Sequence, residues 1–253
     1  MSDARLQAEH LWAGYGRRVV VEDFSCAFRP GEVTVLLGRN GCGKSTLLRA
    51  LGGLLPALKG RVFLDGQDMA AYRPARRAQL LATLPQGRDV PDITARRLVL
   101  HGRFPYLAYP RRYGPAEQAL AEAALARVGI PDLADRPLKR LSGGQRQKVY
   151  LAMLLCQDSP VMLLDEPTTY LDISCQLETW QLCRDLAAQG RTVVAVSHDI
   201  GQSLRYGHRV LLVEQGRLRM DAGPQEAAAS GELERVFGVR IRPVDEDYLI
   251  IAP

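Results

Sequence analysis

The sequence predicts an α/β domain, and three stretches predict it. Each is an apolar run of strand length that ends in glycine or polar residues: Val33-Thr34-Val35-Leu36-Leu37 before Gly38, Val161-Met162-Leu163-Leu164 before Asp165-Glu166, and Thr192-Val193-Val194-Ala195-Val196 before Ser197-His198-Asp199. Runs that are apolar throughout suit strands buried on both faces, and α/β sheets collect polar chemistry at the ends of such strands.

The first run leads into Gly38-Arg39-Asn40-Gly41-Cys42-Gly43-Lys44-Ser45-Thr46, followed by the helix-compatible Leu47-Leu48-Arg49-Ala50-Leu51. This fits the phosphate-binding pattern G-x-x-x-x-G-K-[ST] in the strand, loop, helix context that the pattern needs. Glycines let the backbone wrap an anion with consecutive N–H groups pointing inward, and the helix adds its positive N-terminal end. Lys44 brings a point charge to the terminal phosphates, and Ser45 brings a hydroxyl suited to Mg²⁺ bridging phosphate oxygens. An ordinary glycine-rich turn needs neither the buried strand nor Lys-Ser at fixed offsets. A nucleoside triphosphate site is therefore expected, held by Gly38, Asn40, Gly41, Cys42, Gly43, Lys44, Ser45 and Thr46.

The length of 253 residues allows one large domain, or a domain with a lobe, and a real core. Apolar residues at 47% and charged residues at 24% are ordinary for a soluble globular protein. No run of about 18 uncharged apolar residues occurs, and Met1-Ser2-Asp3-Ala4-Arg5 lacks a signal-peptide pattern, so the chain is expected to stay in the cytoplasm. Cys26, Cys42, Cys156, Cys175 and Cys183 form no C-x-x-C pair and read as reduced thiols rather than a disulfide frame or metal site. Cys42 could be reactive near a helix N-terminus, but a small residue filling the loop is the simpler reading. The net charge of +5 is dispersed, with no dense basic tract interleaved with aromatics, so nucleic acid is not expected as a partner.

Taken in order, residues 5–37 alternate apolar runs with turns: Leu6 to Leu11, Val19-Val20-Val21, Cys26-Ala27-Phe28 and Val33 to Leu37. They read as a β-rich opening that delivers the last strand to the phosphate loop. Trp12-Ala13-Gly14-Tyr15-Gly16 places a ring in a glycine-flanked turn, where Tyr15 could stack on a base or simply be surface. Gly60 to Gly66 reads as a strand and turn, and Leu80 to Leu84 as a buried strand ending in Pro85-Gln86. Gln86 at a strand end could ligate Mg²⁺ or orient water; alone it would be a loop glutamine. From residue 87 the β pattern gives way to Ala, Arg and helical spacing, as in Ala116 to Val128, with an exposed aromatic and arginine loop at Phe104 to Arg112 that suits a contact surface or folds back on itself.

Leu141-Ser142-Gly143-Gly144-Gln145 then opens another helix: Ser142 is a good N-cap, and the two glycines leave N–H groups bare. One triphosphate already has its cradle, so this second anion-binding helix end is expected to serve a nucleotide held by another copy of the chain. At the end of the Val161 run, Asp165 suits an outer partner to Mg²⁺ and Glu166 suits polarising an attacking water, a cap or ion pair being the plainer alternative. Thr168 to Asp172 is a polar turn, and His198 sits where it could contact the γ-phosphate or water. Val210 to Val213 and Arg217 to Met220 read as an edge hairpin, Pro224 to Ser230 as a helix, and Val239 to Ile251 as two short strands.

The ordered set resembles the ATP-binding subunit of ABC transporters over essentially the whole chain. Tyr15 matches the base-stacking aromatic, Gly38 to Thr46 the Walker A motif, Gln86 the Q-loop, Leu141 to Gln145 the signature, Val161 to Glu166 the Walker B region, Thr169 to Asp172 the D-loop and His198 the switch histidine. The resemblance implies an ABC-type P-loop NTPase with a β-rich antiparallel subdomain and a RecA-like parallel-sheet core, residues 1–86 and 159–253. An inserted α-helical lobe, residues 87–158, would carry the signature. It implies catalytic roles for Glu166, His198, Gln86 and Lys44, and Mg²⁺ at Ser45, Gln86 and Asp165. It also implies a head-to-tail homodimer around two ATP molecules, to which Ser142, Gly143, Gly144, Gln145 and Asp172 contribute from the second copy. Integral membrane permease subunits, an indirectly acting substrate-binding protein and a place at the cytoplasmic face of the cell membrane follow from the same resemblance.

More narrowly, Leu98 to Tyr106, Leu151 to Leu155 and Asp165 to Ile173 are similar to the branch that imports ferric siderophores, haem or vitamin B12, with a ferric siderophore the first expectation. A soluble ABC-type ATPase serving iron-sulfur cluster assembly or nucleic-acid repair would use the same motor motifs. The absence of a long coiled-coil insertion argues against repair, and the Phe104 to Arg112 loop against cluster assembly.

Overall fold

The computed structural model describes residues 4–86, 90–245 and 247–252. The chain opens with two long strands, β1 (Leu6–Tyr15) and β2 (Arg18–Phe28), then β3 (Val33–Leu37), helix α1 (Lys44–Leu51), β4 (Lys59–Leu64), β5 (Gln67–Asp68), α2 (Pro74–Leu80) and β6 (Leu81–Leu84). Helices α3 (Ala95–His101), α4 (Pro115–Arg127) and α5 (Gly143–Gln157) follow, with no strand between β6 and the next strand among the described residues. The first three residues of the expected 87–158 lobe, Gly87, Arg88 and Asp89, lie outside the described residues. The chain returns through β7 (Val161–Asp165), α6 (Ile173–Ala188), β8 (Thr192–Val196), α7 (Ile200–Tyr206), β9 (Arg209–Glu214) and β10 (Arg217–Ala222), and ends in α8 (Pro224–Ala229), α9 (Glu232–Phe237), β11 (Arg240–Val244) and β12 (Asp247–Ile251).

The apolar runs are neighbours in one sheet, ordered β10-β9-β3-β8-β7-β6, whose pairs are parallel except for the β9–β10 edge hairpin. A separate antiparallel sheet is ordered β2-β1-β4-β5. The side-chain period of two in a strand explains the layering. Leu36, Leu163, Val194, Val196 and Leu211 face the antiparallel sheet, with α1 sandwiched between through Leu47, Leu48 and Leu51. Their alternates Val35, Leu37, Met162, Leu164, Val193 and Ala195 face the helices of the opposite layer, among them α5, α6 and α7. Every residue of β3, β7 and β8 is buried, as the unbroken apolar runs require.

The opening differs from expectation. Its separate runs merge into two strands because bulges correct their parity. Leu6 and Ala8 are buried at one spacing of two, Leu11 and Ala13 at another, and the intervening three-residue step is absorbed by register shifts and by His10, whose φ is 47°. Asp23, with φ 49°, does the same between Val21 and Phe24 of β2. Trp12 to Tyr15 consequently belong to β1, and the turn itself is Gly16-Arg17. Leu80, read as strand, closes α2, and α9 adds a second short helix after the expected one at Pro224. The tail residues pair as the two strands expected, β11 with β12. Part of the aromatic loop folds back: Tyr106 Oη donates to Gln157 O at 2.8 Å, whereas Tyr109 is 95% exposed.

Candidate functional site

The parallel strands all end on one edge of the sheet, and the loop after β3 makes its floor. Gly38 cannot be replaced without conflict, because a Cβ there would lie 2.3 Å from Val213 O and 2.6 Å from Cys42 Sγ. Gly43 caps α1 with φ 107° and no capping side chain. The first helical bond runs from Leu47 N–H to Gly43 O, so the amides of Lys44, Ser45 and Thr46 are the helix's orphan donors. They face a cavity of about 500 Å³ lined by Val20, Asn40, Gly41, Gly43 to Thr46, Gln86, Glu166 and His198. Orphan amides, glycine backbone and a buried lysine make this an anion site.

Lys44 is 5% exposed, and its Nζ donates to Gly38 O at 2.7 Å and Arg39 O at 3.2 Å, so the loop's own carbonyls hold the charge at the cavity. Ser45 Oγ donates to Asp165 Oδ1 at 3.1 Å. Asp165, at the end of β7, is 3% exposed, and burial pushes its carboxyl above the usual range, a push only partly offset by the Ser45 hydrogen bond. Such a carboxylate gains from a nearby cation, and Ser45, Asp165 and Gln86 offer the hard oxygen donors that Mg²⁺ prefers. Cys42 lies beneath the loop against Gly38 and, like the other four cysteines, is a free thiol.

Glu166 follows β7 at φ 52° and is gripped from three directions. Gln86 Nε2 donates to its Oε2 at 2.7 Å, Thr169 Oγ1 donates to the same oxygen at 3.1 Å, and His198 Nε2 touches Oε1. Glu166 lies 80 positions from Gln86 and 32 from His198 in sequence, and the shared sheet edge brings them together. Tyr15 is outside this cavity: it is 47% exposed at the end of β1, its hydroxyl accepting from Arg49 of α1 at 3.4 Å.

Ser142, Gly143, Gly144, Gln145 and Asp172 lie on another face, around a cavity of about 820 Å³. Ser142 caps α5 reciprocally with Gln145: Gln145 N–H donates to Ser142 Oγ, and Ser142 N–H donates to Gln145 Oε1. Asp172 caps α6 by accepting from Cys175 N–H at 2.8 Å, which holds its carboxyl below the usual range. Gly143 and Gly144 pack on Tyr170 and Leu171, so the α5 start and the turn before α6 form one surface. Sequence reasoning missed Gln147, buried and donating to Pro167 O at 2.7 Å, which ties α5 to the segment after Glu166, and Val20 of β2 in the cavity wall. A glutamine inside a helix and a valine inside a strand carry no pattern of their own.

Residues 21–169 match the family model described as ABC transporter. The ferric enterobactin transport ATP-binding protein FepC of Escherichia coli (strain K12) is 38% identical over 97% of this chain and 91% of that protein. The iron(3+)-hydroxamate import ATP-binding protein FhuC of Bacillus subtilis (strain 168) is 38% identical over 92% and 88%. Among solved structures, CbiO1 from Clostridium perfringens, part of the ABC transporter complex CbiONQ, superposes with a TM-score of 0.78 at 28% identity, covering 92% of this chain and 94% of that one.

Proposed function

The chain belongs to the ABC transporter family, and from that premise we propose that it hydrolyses ATP to power import of a ferric siderophore through a membrane permease. The cargo rests on the names of the relatives, ferric enterobactin transport and iron(3+)-hydroxamate import among them. One observation carries the chemistry: the Glu166 carboxylate, gripped by Gln86, Thr169 and His198, opens into the same cavity as the phosphate loop.

In this reading the loop amides and Lys44 bind the β- and γ-phosphates, and Glu166 accepts the proton of the attacking water. His198 holds Glu166 and reaches the γ-phosphate; Gln86 reports γ-phosphate occupancy to the helical lobe. Ser45, Asp165 and Gln86 would hold Mg²⁺, which supplies neutralising charge on the phosphate oxygens. The face of Ser142 to Gln145 and Asp172 takes the nucleotide of a second copy, giving a homodimer with two composite sites. ATP drives closure because it binds the closed pair better than the open one. Among the described residues no helix is long and apolar enough to cross a membrane. Attachment at the cytoplasmic face through the permease is part of the same proposal.

The test is purification of the tagged chain from its native membranes in mild detergent, with mass spectrometry of what stays bound. A many-helix permease is the expected result. A soluble scaffold instead moves the function to cluster assembly while leaving the ATPase chemistry in place. Uptake of labelled ferric siderophore should be lost on deletion; undiminished uptake refutes the cargo.

A further inference from the structure

Beyond the cavity wall, α6 and α7 are joined by two glutamines that no part of the mechanism above uses. Gln176, in the first turn of α6, donates from Nε2 to the carbonyl of Leu171 at 3.0 Å. Gln202, in the first turn of α7, donates from Nε2 to Gln176 Oε1 at 3.0 Å. The direction of this chain is forced. Leu171 O can only accept, so Gln176 must turn its NH₂ toward it, which leaves Oε1 facing Gln202. Gln202 must then present its own NH₂, and its Oε1 is left buried without a hydrogen bond among the described residues.

Its ends show what it holds. Leu171 closes the turn that begins at Glu166, through Thr169 N–H to Glu166 O and Leu171 N–H to Thr168 O. Gln202 N–H donates to Asp199 Oδ1, the N-cap of α7 immediately after His198. The bridge therefore joins the segment carrying Glu166 to the segment carrying His198, and neither glutamine is among the residues lining the cavity.

We propose that Gln176 and Gln202 are positioning residues that hold His198 in contact with Glu166 by locking the start of α7 to the turn before α6. The proposal rests on the assignment of Glu166 and His198 above. Both glutamines act through that contact and neither touches nucleotide. A misplacement of about 1 Å in such a pair is enough to slow a reaction by up to a hundredfold.

The experiment uses the full-length chain with the membrane components it retains, and compares Gln202→Leu, Gln176→Leu, the double variant, and Gln202→Leu in a His198→Ala background. Leucine keeps the volume, and Gln176→Leu keeps the test alive should Gln202→Leu fail to fold. Each single variant is expected to lower kcat about tenfold while KM for ATP stays within about twofold. The double variant should be no worse than either single, and Gln202→Leu should cost nothing further once His198 is alanine. A kcat within about twofold of the parent in both single variants overturns the proposal, as does an undiminished tenfold loss in the His198→Ala background. His198→Ala at the parent rate overturns the His198 assignment itself, and is distinguishable because it needs no glutamine variant.

Discussion

Replacing Glu166 by glutamine isolates the chemical step. Glutamine has the same length, and a φ of 52° is no harder for it than for glutamate. Its single acceptor oxygen can keep the donors Gln86 Nε2 and Thr169 Oγ1, now 2.7 and 3.1 Å from Glu166 Oε2, which turns the new NH₂ toward His198. The fold should lose no more than one hydrogen bond, worth about 1 kcal/mol, or about 2–4 °C in melting temperature. What disappears is the group able to take a proton from water. A positioned general base contributes about 10²–10⁴ in rate, so kcat should fall by at least about a hundredfold, equivalent to about 2.7 kcal/mol on the barrier. The loop from Asn40 to Thr46, which we propose binds the phosphates, is untouched, so ATP affinity should stay within about threefold and unhydrolysed ATP should accumulate on a stable dimer. Phosphate release and nucleotide retained after rapid gel filtration measure the two quantities. Turnover within about twofold of the parent refutes the role of Glu166, and a parallel loss of ATP affinity refutes the separation of binding from chemistry.

Three further outcomes are expected. Lys44→Ala should weaken binding of a fluorescent ATP analogue at least about tenfold, or about 1.4 kcal/mol, and unchanged affinity would sink the phosphate role of Lys44. For Asp165, burial raises the folded carboxyl above its unfolded value, so the folded state prefers the protonated form and stability falls as pH rises through the folded value. Asp165→Asn should therefore melt at or above the parent temperature in chelator near neutral pH while losing the Mg²⁺-dependent part of nucleotide affinity; a drop of more than about 2 °C contradicts this. His208 Nδ1 accepts from Val33 N–H at 2.9 Å, so the ring is neutral there, and burial, with Arg184 nearby, holds it below 6.5. Stability from this contact is complete above the unfolded value and declines as pH falls below it. His208→Ala should cost no more than about 1 kcal/mol near pH 8, because the ring is partly exposed, and less near pH 5; denaturant unfolding at the two pH values checks it, and a pH-independent difference refutes it.

Legibility in the sequence followed contiguity. Gly38 to Thr46 and Ser142 to Gln145 are read from neighbouring residues because a phosphate cradle and a capping box are local hydrogen-bonding devices. Gln86, Glu166 and His198 were legible one at a time, each as a polar residue at the end of an apolar run, because α/β sheets expose chemistry at strand ends. Their grip on one another was not legible, since it depends on β7 lying beside both β6 and β8, and strand order is set by packing across the whole sheet. Short helices such as α2 and α9 escaped because segments of 6 or 7 residues have little intrinsic helicity and are held by tertiary contacts. The merged β1 and β2 escaped because a bulge inverts the alternation on which strand reading depends.

The α/β class, the glycine-rich loop before α1, the second capped helix end and the polar residues at each strand end are all written in periodicity and short spacing. Packing across the sheet sets that Glu166 is held by Gln86, Thr169 and His198, that Asp172 and the Ser142 cap share a different face, and that Gln176 and Gln202 join the segments carrying Glu166 and His198. The physical reason is that side-chain partners separated by tens of residues are chosen by which strands and helices pack together, and no local propensity encodes that choice.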